Sequence, residues 1–364
     1  MRVFVIIGTR PEAIKMLPLA KELKKYEKIE TKICFSSQHK DLTKSVFCDF
    51  NMSPDFTFSG AKSGWNLNEM TREFLDYFDL LFGKEKPDLV LVHGDTTTAF
   101  CASLSAFYLG IKVAHIEAGL RTFDPFSPFP EEFNRVAIDS ASSVHFAPTK
   151  TDAENLIKEG KKSVFTVGNT VIDALEYSLK TRILPPILKE LNGRKLVLVT
   201  THRRENFGER MRSALLGIRD AVNGRDDVLV VVPVHPNPMV KDVVNRVLGN
   251  IKNIKLVKPL SMIEFHSLLS YADVILSDSG GIQEEAAYLG LPLFLLRDKT
   301  ERLECLSLPN MRVVGCSRLD VIRELANFFD SPSLQREMRI PSNVFGDGRA
   351  SAKIVEILLQ MADD

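Results

Sequence analysis

The sequence predicts an α/β protein built from two doubly wound domains with parallel sheets. Short β-branched runs alternate with amphipathic helical stretches, the alternation breaks once near the middle and then restarts, and 364 residues suit two domains of ordinary size.

The first block opens on Val3–Ile7 and continues with Thr31–Phe35, Leu89–Val92, Val113–Ile116 and Val144–Phe146. These runs are continuously apolar rather than alternating, the signature of strands covered on both faces. Between them Pro11–Lys24, Leu67–Phe82 and Thr97–Leu109 carry a helical spacing of apolar residues. The sequence LPPILKELNG at 184–193, with its paired prolines, reads as a linker. The second block then sets strands Leu196–Thr200, Val228–Val234, Ile254–Val257, Val274–Ser277 and Leu293–Leu296 among further helices. The last helical stretch, Ser351–Met361, is amphipathic and can pack on either domain.

Composition narrows the class. Hydrophobic residues make up 45% and charged residues 26%, enough for a sizeable core. Lys plus Arg and Asp plus Glu number 47 each, so the chain lacks the cationic excess of a nucleic-acid binder. No apolar run approaches the ~18 residues of a membrane span, and MRVFVIIGTRPEA breaks into a helix start where a signal peptide would continue. Five scattered cysteines (Cys34, Cys48, Cys101, Cys305, Cys316) without CxxC spacing argue against disulfides and zinc. The expectation is a cytoplasmic protein with no membrane and no nucleic-acid partner.

Ligands of open α/β sheets bind beyond the C-terminal strand ends, so the loops after the strands carry the functional reading. GTRPEAIK follows the first strand: Gly8 permits close approach, Thr9 can cap, and the helix start beside Arg10 suits an anion. The plain alternative is an ordinary strand-to-helix turn. HGDTTTAF places Asp95 just past another strand, where it is either a functional carboxylate or a simple N-cap. AHIEAGLRTFDPFSPFPEEFNR holds Glu117 and Glu131 around a long loop rich in Pro and Phe, and Glu131 in isolation suits a helix start. THRRENFGER sets His202, Arg203 and Arg204 where a phosphate can bind. In SDSGGIQEEAAYLG, Ser279, Gly280 and Gly281 open a helix whose N–H groups can cradle a phosphate oxygen, and Glu285 can accept ribose hydroxyls. Together the two loops suggest a nucleoside diphosphate site.

Missing motifs exclude several chemistries. No GxGxxG follows a strand, no GxxxxGK[ST] is present, no histidine pair has metal spacing, and no GxSxG elbow occurs. His93 and His115, inside or at the end of apolar strands, read as structural.

In order along the chain, GTRPEAIK, HGDTTT, HIEAGLRT, SPFPEEFNR, FAPT, VGNTVIDAL, THRREN, PVHPNP, SDSGGIQEE, RDKTER and VFGDGRAS resemble the motifs of the non-hydrolysing UDP-N-acetylglucosamine 2-epimerases. The resemblance implies the GT-B architecture: two Rossmann-like doubly wound parallel-sheet domains with the active site in the interdomain cleft. The expected division is 1–180 with the closing helix 350–364, a linker at 181–194, and a UDP-binding domain at 195–349. It also implies a UDP-sugar substrate, no cofactor, no metal and a homodimer.

The implied reaction inverts C2 of UDP-N-acetylglucosamine, giving UDP-N-acetylmannosamine. The C2 proton has no adjacent carbonyl to acidify it, so UDP leaves C1 as that proton is lost. A glycal forms, and UDP re-adds with the proton delivered to the opposite face. Such a route needs carboxylates as base and acid, and cations or N–H donors for the departing diphosphate. By resemblance Asp95, Glu117 and Glu131 take the first duty; Arg10, His202, Ser279, Gly280 and Gly281 take the second, with Lys15 in support. Glu285 matches the ribose ligand, and Phe265 the residue packed on uracil.

Gln38, His39, Arg203 and His235 resemble parts of a second, activating UDP-N-acetylglucosamine site, to which Glu131 can also belong. Trp65 stands where relatives carry a polar residue, which argues against such activation, and Leu303 replaces a usual proline after TER. Competing assignments are a 2-epimerase of a UDP-2,3-diacetamido uronic acid sugar, a GT-B UDP-sugar glycosyltransferase, a hydrolysing relative and a sugar-nucleotide sensor.

Overall fold

The alternation of strand and helix produces two units, each wound about its own parallel sheet: Met1–Tyr177 with Phe345–Asp364, and Ser178–Val344. The computed structural model describes every residue except His39, Ser63, Arg182 and Asp364, and only the backbone of Lys40, Asp41, Leu42, Arg204 and Asp363.

The first unit runs β1 (Arg2–Ile7), α1 (Arg10–Leu23), β2 (Glu30–Phe35), α2 (Lys40–Asp49), β3 (Phe56–Thr57), α3 (Leu67–Glu85), β4 (Leu89–His93), α4 (Thr97–Tyr108) and β5 (Lys112–Ile116). It continues through α5 (Glu131–Ala141), β6 (Val144–Ala147), α6 (Lys150–Lys158), β7 (Val164–Thr166) and α7 (Thr170–Thr181), whose last turn enters the second unit. The sheet order is β3-β2-β1-β4-β5-β6-β7 and the pairings are parallel. Val3 through Ile7 are fully buried, as a strand covered on both faces requires. Phe74, Phe78 and Phe82, four residues apart on α3, form one buried face of that helix, and Phe82 meets Phe4 edge-on at 6.1 Å.

The second unit runs β8 (Lys195–Thr200), α8 (Glu209–Val222), β9 (Val228–Pro233), α9 (Pro238–Leu248), β10 (Ile254–Val257), α10 (Met262–Ser270) and β11 (Val274–Ser277). Then come α11 (Gly280–Leu289), β12 (Leu293–Leu295), β13 (Met311–Val313), α12 (Arg318–Asp330) and α13 (Pro332–Glu337). Its order, β10-β9-β8-β11-β12-β13, repeats the winding of the first sheet, again with parallel pairings. The proline-rich stretch at 181–194 lies in this unit and holds a 3-10 turn, Pro186–Glu190. The closing helix α14 (Ala350–Asp363) belongs to the first unit: Asp173 of α7 accepts the N–H groups of Ala350 (3.1 Å) and Ser351 (2.7 Å) at its start.

Each sheet reverses its winding once, between β1 and β4 and between β8 and β11. The loops leaving those strands at their C-terminal ends flank a natural ligand position. They are the loops that carry Arg10, Asp95, His202 and Ser279. Among the described residues no helix is long and apolar enough to cross a membrane.

Candidate functional site

In the first unit, Gly8 leaves β1 so close to its neighbours that a Cβ there would lie 2.2 Å from Thr98 Oγ1. Thr9 then caps α1, and Glu12 completes a capping box, accepting from the N–H groups of Gly8 (3.1 Å) and Thr9 (2.7 Å). Its other oxygen receives the Thr96 hydroxyl at 2.8 Å, so one buried carboxylate ties the start of α1 to that of α4. Burial raises the Glu12 carboxyl to about 7 against the opposing pull of these hydrogen bonds. Arg10 opens α1, and Lys15 lies just over one turn further on, buried.

Lys15 meets Glu117. The pair is nearly enclosed, each side chain 9% exposed, and Asn169 Nδ2 donates to the same Glu117 oxygen at 2.8 Å. Glu117 has φ +63°, a left-handed conformation that costs a residue with a Cβ about 1–3 kcal/mol. It immediately follows β5, at the same edge from which Asp95 leaves β4, the strand beside it. His93, the last residue of β4, places Nε2 3.4 Å from Glu117 without a hydrogen bond to it. Burial lowers the His93 imidazole below its usual range despite Glu117 beside it, which favours the neutral ring. His93 therefore borders the Lys15–Glu117 pair. His115 is structural, bridging Asp139 Oδ1 (2.6 Å) and the Gly94 carbonyl (2.7 Å) just before Asp95.

Asp95 does not cap α4, because Thr96 does, accepting from Ala99 N–H at 3.0 Å. The Asp95 carboxylate is instead gripped by Arg135 through Nε (2.9 Å) and Nη2 (2.7 Å). Arg135 also holds Glu132 at 2.7 Å, and Glu132 accepts from the N–H groups of Thr122 (2.9 Å) and Phe123 (3.0 Å) in the long loop. That loop, with cis bonds before Pro128 and Pro130, delivers Glu131 as the first residue of α5, one turn before Arg135. A helix-start position, the plain reading of Glu131, thus coincides with a location beside the Asp95 clamp.

In the second unit the organising residue is Asp278, which the sequence reading passed over. Fully buried after β11, it accepts from the Thr201 hydroxyl (2.9 Å), the N–H groups of His202 (3.1 Å) and Arg203 (3.1 Å), and Asn206 Nδ2 (3.1 Å). The His-Arg loop is thereby folded over the start of α11. His202 is 40% exposed, with Nδ1 3.4 Å from Asp278, and stacks on His235 at 5.7 Å between ring centroids. Ser279 occupies the N-cap of α11 yet its side chain makes no cap hydrogen bond. The Gly280 Cα faces Arg203, Glu301 and Arg302, each 3.3 Å from where a Cβ would sit, whereas at Gly281 nothing lies within 4 Å. An uncapped helix start with glycine N–H groups and nearby guanidiniums can receive a phosphate. Burial would raise the Glu301 carboxyl, but Arg302, Arg297 and Arg203 hold it well below the usual range.

Deeper in α11, Glu285 is buried; His266 Nε2 contacts Oε1 at 3.2 Å, and Oε2 has no hydrogen-bond partner among the described residues. Phe265, half-buried, precedes His266 on α10. The residues matched to a second site fall in both units. Gln38 accepts from the Thr98 hydroxyl at 2.8 Å in the first unit, while Arg203 and His235 stand with His202 in the second. His39 lies outside the described residues. Trp65 packs against Phe58 and Phe74 in the aromatic core, and Leu303 is exposed at a 3-10 turn, Leu303–Ser307. Among the described residues no cluster of three or more His, Cys, Asp or Glu could hold a metal ion.

A family model described as UDP-N-acetylglucosamine 2-epimerase matches residues 21–359. The chain is 43% identical to UDP-N-acetylglucosamine 2-epimerase of Bacillus subtilis over 99% of its own length and 95% of the relative's. It is 40% identical to the Escherichia coli K12 enzyme of the same name, over 98% of each chain. The crystal structure of the Neisseria meningitidis UDP-GlcNAc 2-epimerase bound to UDP-GlcNAc matches with TM-score 0.93 and 40% identity, covering 99% of this chain and 100% of that one. The Methanocaldococcus jannaschii enzyme in complex with UDP-GlcNAc and UDP matches with TM-score 0.84 and 34% identity, over 99% and 100%.

Proposed function

The chain belongs to the UDP-N-acetylglucosamine 2-epimerase family, and from that premise we propose that it interconverts UDP-N-acetylglucosamine and UDP-N-acetylmannosamine by eliminating and re-adding UDP. The observation that carries this reading is the pair of carboxylates leaving adjacent strands at one sheet edge, each held by a buried cation: Asp95 by Arg135 and Glu117 by Lys15.

A carboxylate of the group Asp95, Glu117 and Glu131 takes the C2 proton. The C2–H electrons become the C1=C2 double bond, and the C1–O electrons leave with UDP. Readdition reverses the flow: a second acid returns a proton to the other face of C2 as the diphosphate oxygen attacks C1. Lys15 fixes the Glu117 carboxylate, and Arg10 lies at the start of α1, after the strand beside β4, to meet developing phosphate charge. In the second unit the start of α11 (Ser279, Gly280, Gly281) and His202 receive the diphosphate, Phe265 packs on uracil and Glu285 takes the ribose hydroxyls. The strained φ of Glu117 fits a side chain aimed by need rather than by comfort.

The substrate labelled with oxygen-18 in the C1–O–P bridge tests the step. Cleavage and return of UDP scrambles the label into the non-bridging β-phosphate positions of recovered UDP-N-acetylglucosamine. Epimerisation with the label still in the bridge would exclude C1–O cleavage.

The first unit exposes Leu80 of α3, Phe107 and Tyr108 of α4, and Phe133 and Val136 of α5. We assign this apolar face to a homodimer contact, consistent with helices packed side by side; Tyr108→Glu should release monomers in light scattering. The five unpaired cysteines support work in the reducing cytoplasm.

A further inference from the structure

Behind Glu285 stands a linear array of three buried side chains. Ser178 of α7 is fully buried, His266 of α10 is 2% exposed and Glu285 of α11 is 6% exposed. The His266 ring bridges the others, Nδ1 at 2.8 Å from Ser178 Oγ and Nε2 at 3.2 Å from Glu285 Oε1. The set resembles a hydrolase triad in composition, but a serine without solvent access cannot meet an electrophile. The array serves the carboxylate instead.

Among the described residues, the buried Glu285 Oε2 has no hydrogen-bond partner. An orphaned buried carboxylate oxygen is costly unless a ligand completes it. With Oε1 committed to the ring, Oε2 is the acceptor left for a hydroxyl. An ionised carboxylate only accepts, so the ring's Nε2–H donates to Glu285, while Nδ1 pairs with the Ser178 hydroxyl. Both ring nitrogens are then occupied, and turning the Glu285 carboxylate would break the Nε2 bond. Phe265, assigned to uracil, is the preceding residue of α10, so base and ribose contacts share one helix.

We propose that His266, locked by Ser178, is a positioning residue that aims the Glu285 carboxylate at the ribose hydroxyls and thereby sets this chain's preference for ribonucleotides over deoxyribonucleotides. The proposal rests on the assignment of Glu285 to the ribose.

Calorimetric affinities for UDP and 2′,3′-dideoxy-UDP test it in the full-length protein and its Glu285→Gln, His266→Phe, His266→Gln and Ser178→Ala variants. The native protein favours UDP, and Glu285→Gln removes that preference. His266→Phe narrows the preference by about tenfold, the worth of one charge-assisted hydrogen bond, and raises KM for UDP-N-acetylglucosamine while sparing kcat. His266→Gln, which keeps an N–H donor, restores most of the preference, and Ser178→Ala gives an intermediate loss. A general loss of packing would instead weaken both nucleotides equally. Should His266→Phe not fold, His266→Gln and Ser178→Ala decide: an unchanged ratio in Ser178→Ala together with equal weakening of both nucleotides in His266→Gln overturns the proposal. A native ratio in folded His266→Phe with a lost ratio in Glu285→Gln overturns the role of His266 alone. A native ratio in Glu285→Gln overturns the ribose assignment beneath it.

Discussion

Arg135 reaches the same oxygen of Asp95 twice, from Nε at 2.9 Å and Nη2 at 2.7 Å. The guanidinium is itself 7% exposed and anchored by Glu132, so the Asp95 carboxylate, 25% exposed, is presented from a fixed base. This Glu132–Arg135–Asp95 chain joins the long loop, α5 and the end of β4. It explains why a loop with so many exposed phenylalanines keeps a defined path.

Asp95→Asn keeps the shape and removes the charge. Turnover falls by about 10²–10⁴, while UDP affinity, assigned to residues of the other unit, stays within about twofold. Steady-state kinetics and calorimetry together check this, and a variant with native rate would remove Asp95 from the mechanism.

Lys15→Met leaves Glu117 nearly buried without its cation. Breaking one side of a buried pair costs about 3–5 kcal/mol, visible as a lower urea midpoint. An unchanged urea midpoint would show that the Lys15–Glu117 pair does not support the fold.

Glu12 makes stability depend on pH. Its folded-state value of about 7 lies above the ordinary 4.5, so the folded chain holds the proton more tightly than the unfolded one. The resulting stabilisation, on the order of 3 kcal/mol, is complete below about pH 4.5 and lost as pH rises through about 7. Between pH 5 and 8 the melting temperature of the native protein should therefore fall more than that of Glu12→Gln. Parallel curves would contradict this.

Asp278→Ala deprives four groups of one buried acceptor: the Thr201 hydroxyl, the His202 and Arg203 N–H groups and Asn206 Nδ2. The expected loss is about 2–4 kcal/mol of stability, with UDP affinity reduced at least about tenfold as the His-Arg loop loses its fixed path. Native UDP affinity in a folded variant would show that Asp278 does not shape the nucleotide site.

The long strands were legible because each is a continuous apolar, β-branched run; Ile254–Val257 and Val274–Ser277 match their observed limits. Edge strands β3, β7 and β13, only two or three residues long, were not read, since so short a run carries no periodicity. Thr9 and Gly8 were legible because caps and close approaches are local. Asp278, Arg135, Asn169 and His266 were not, because their roles arise from partners far along the chain. Asp278 meets a backbone N–H 76 residues away, and Asn169 meets Glu117 across 52. The approach of His93 to Glu117 is hidden for the same reason: nothing near it in sequence announces that partner. The one local hint left unused was the spacing of Glu131 and Arg135, four residues apart and hence on one face of α5.

The proposed reaction turns on loss and return of the C2 proton beside the carboxylates at the ends of β4 and β5. Incubating the protein with UDP-N-acetylglucosamine in deuterium oxide and following C2 by NMR measures it directly. Elimination and re-addition of UDP should leave both UDP-sugar epimers carrying deuterium at C2, with no free sugar released. Epimers that retain protium at C2, or free N-acetylmannosamine accumulating with UDP, would contradict it.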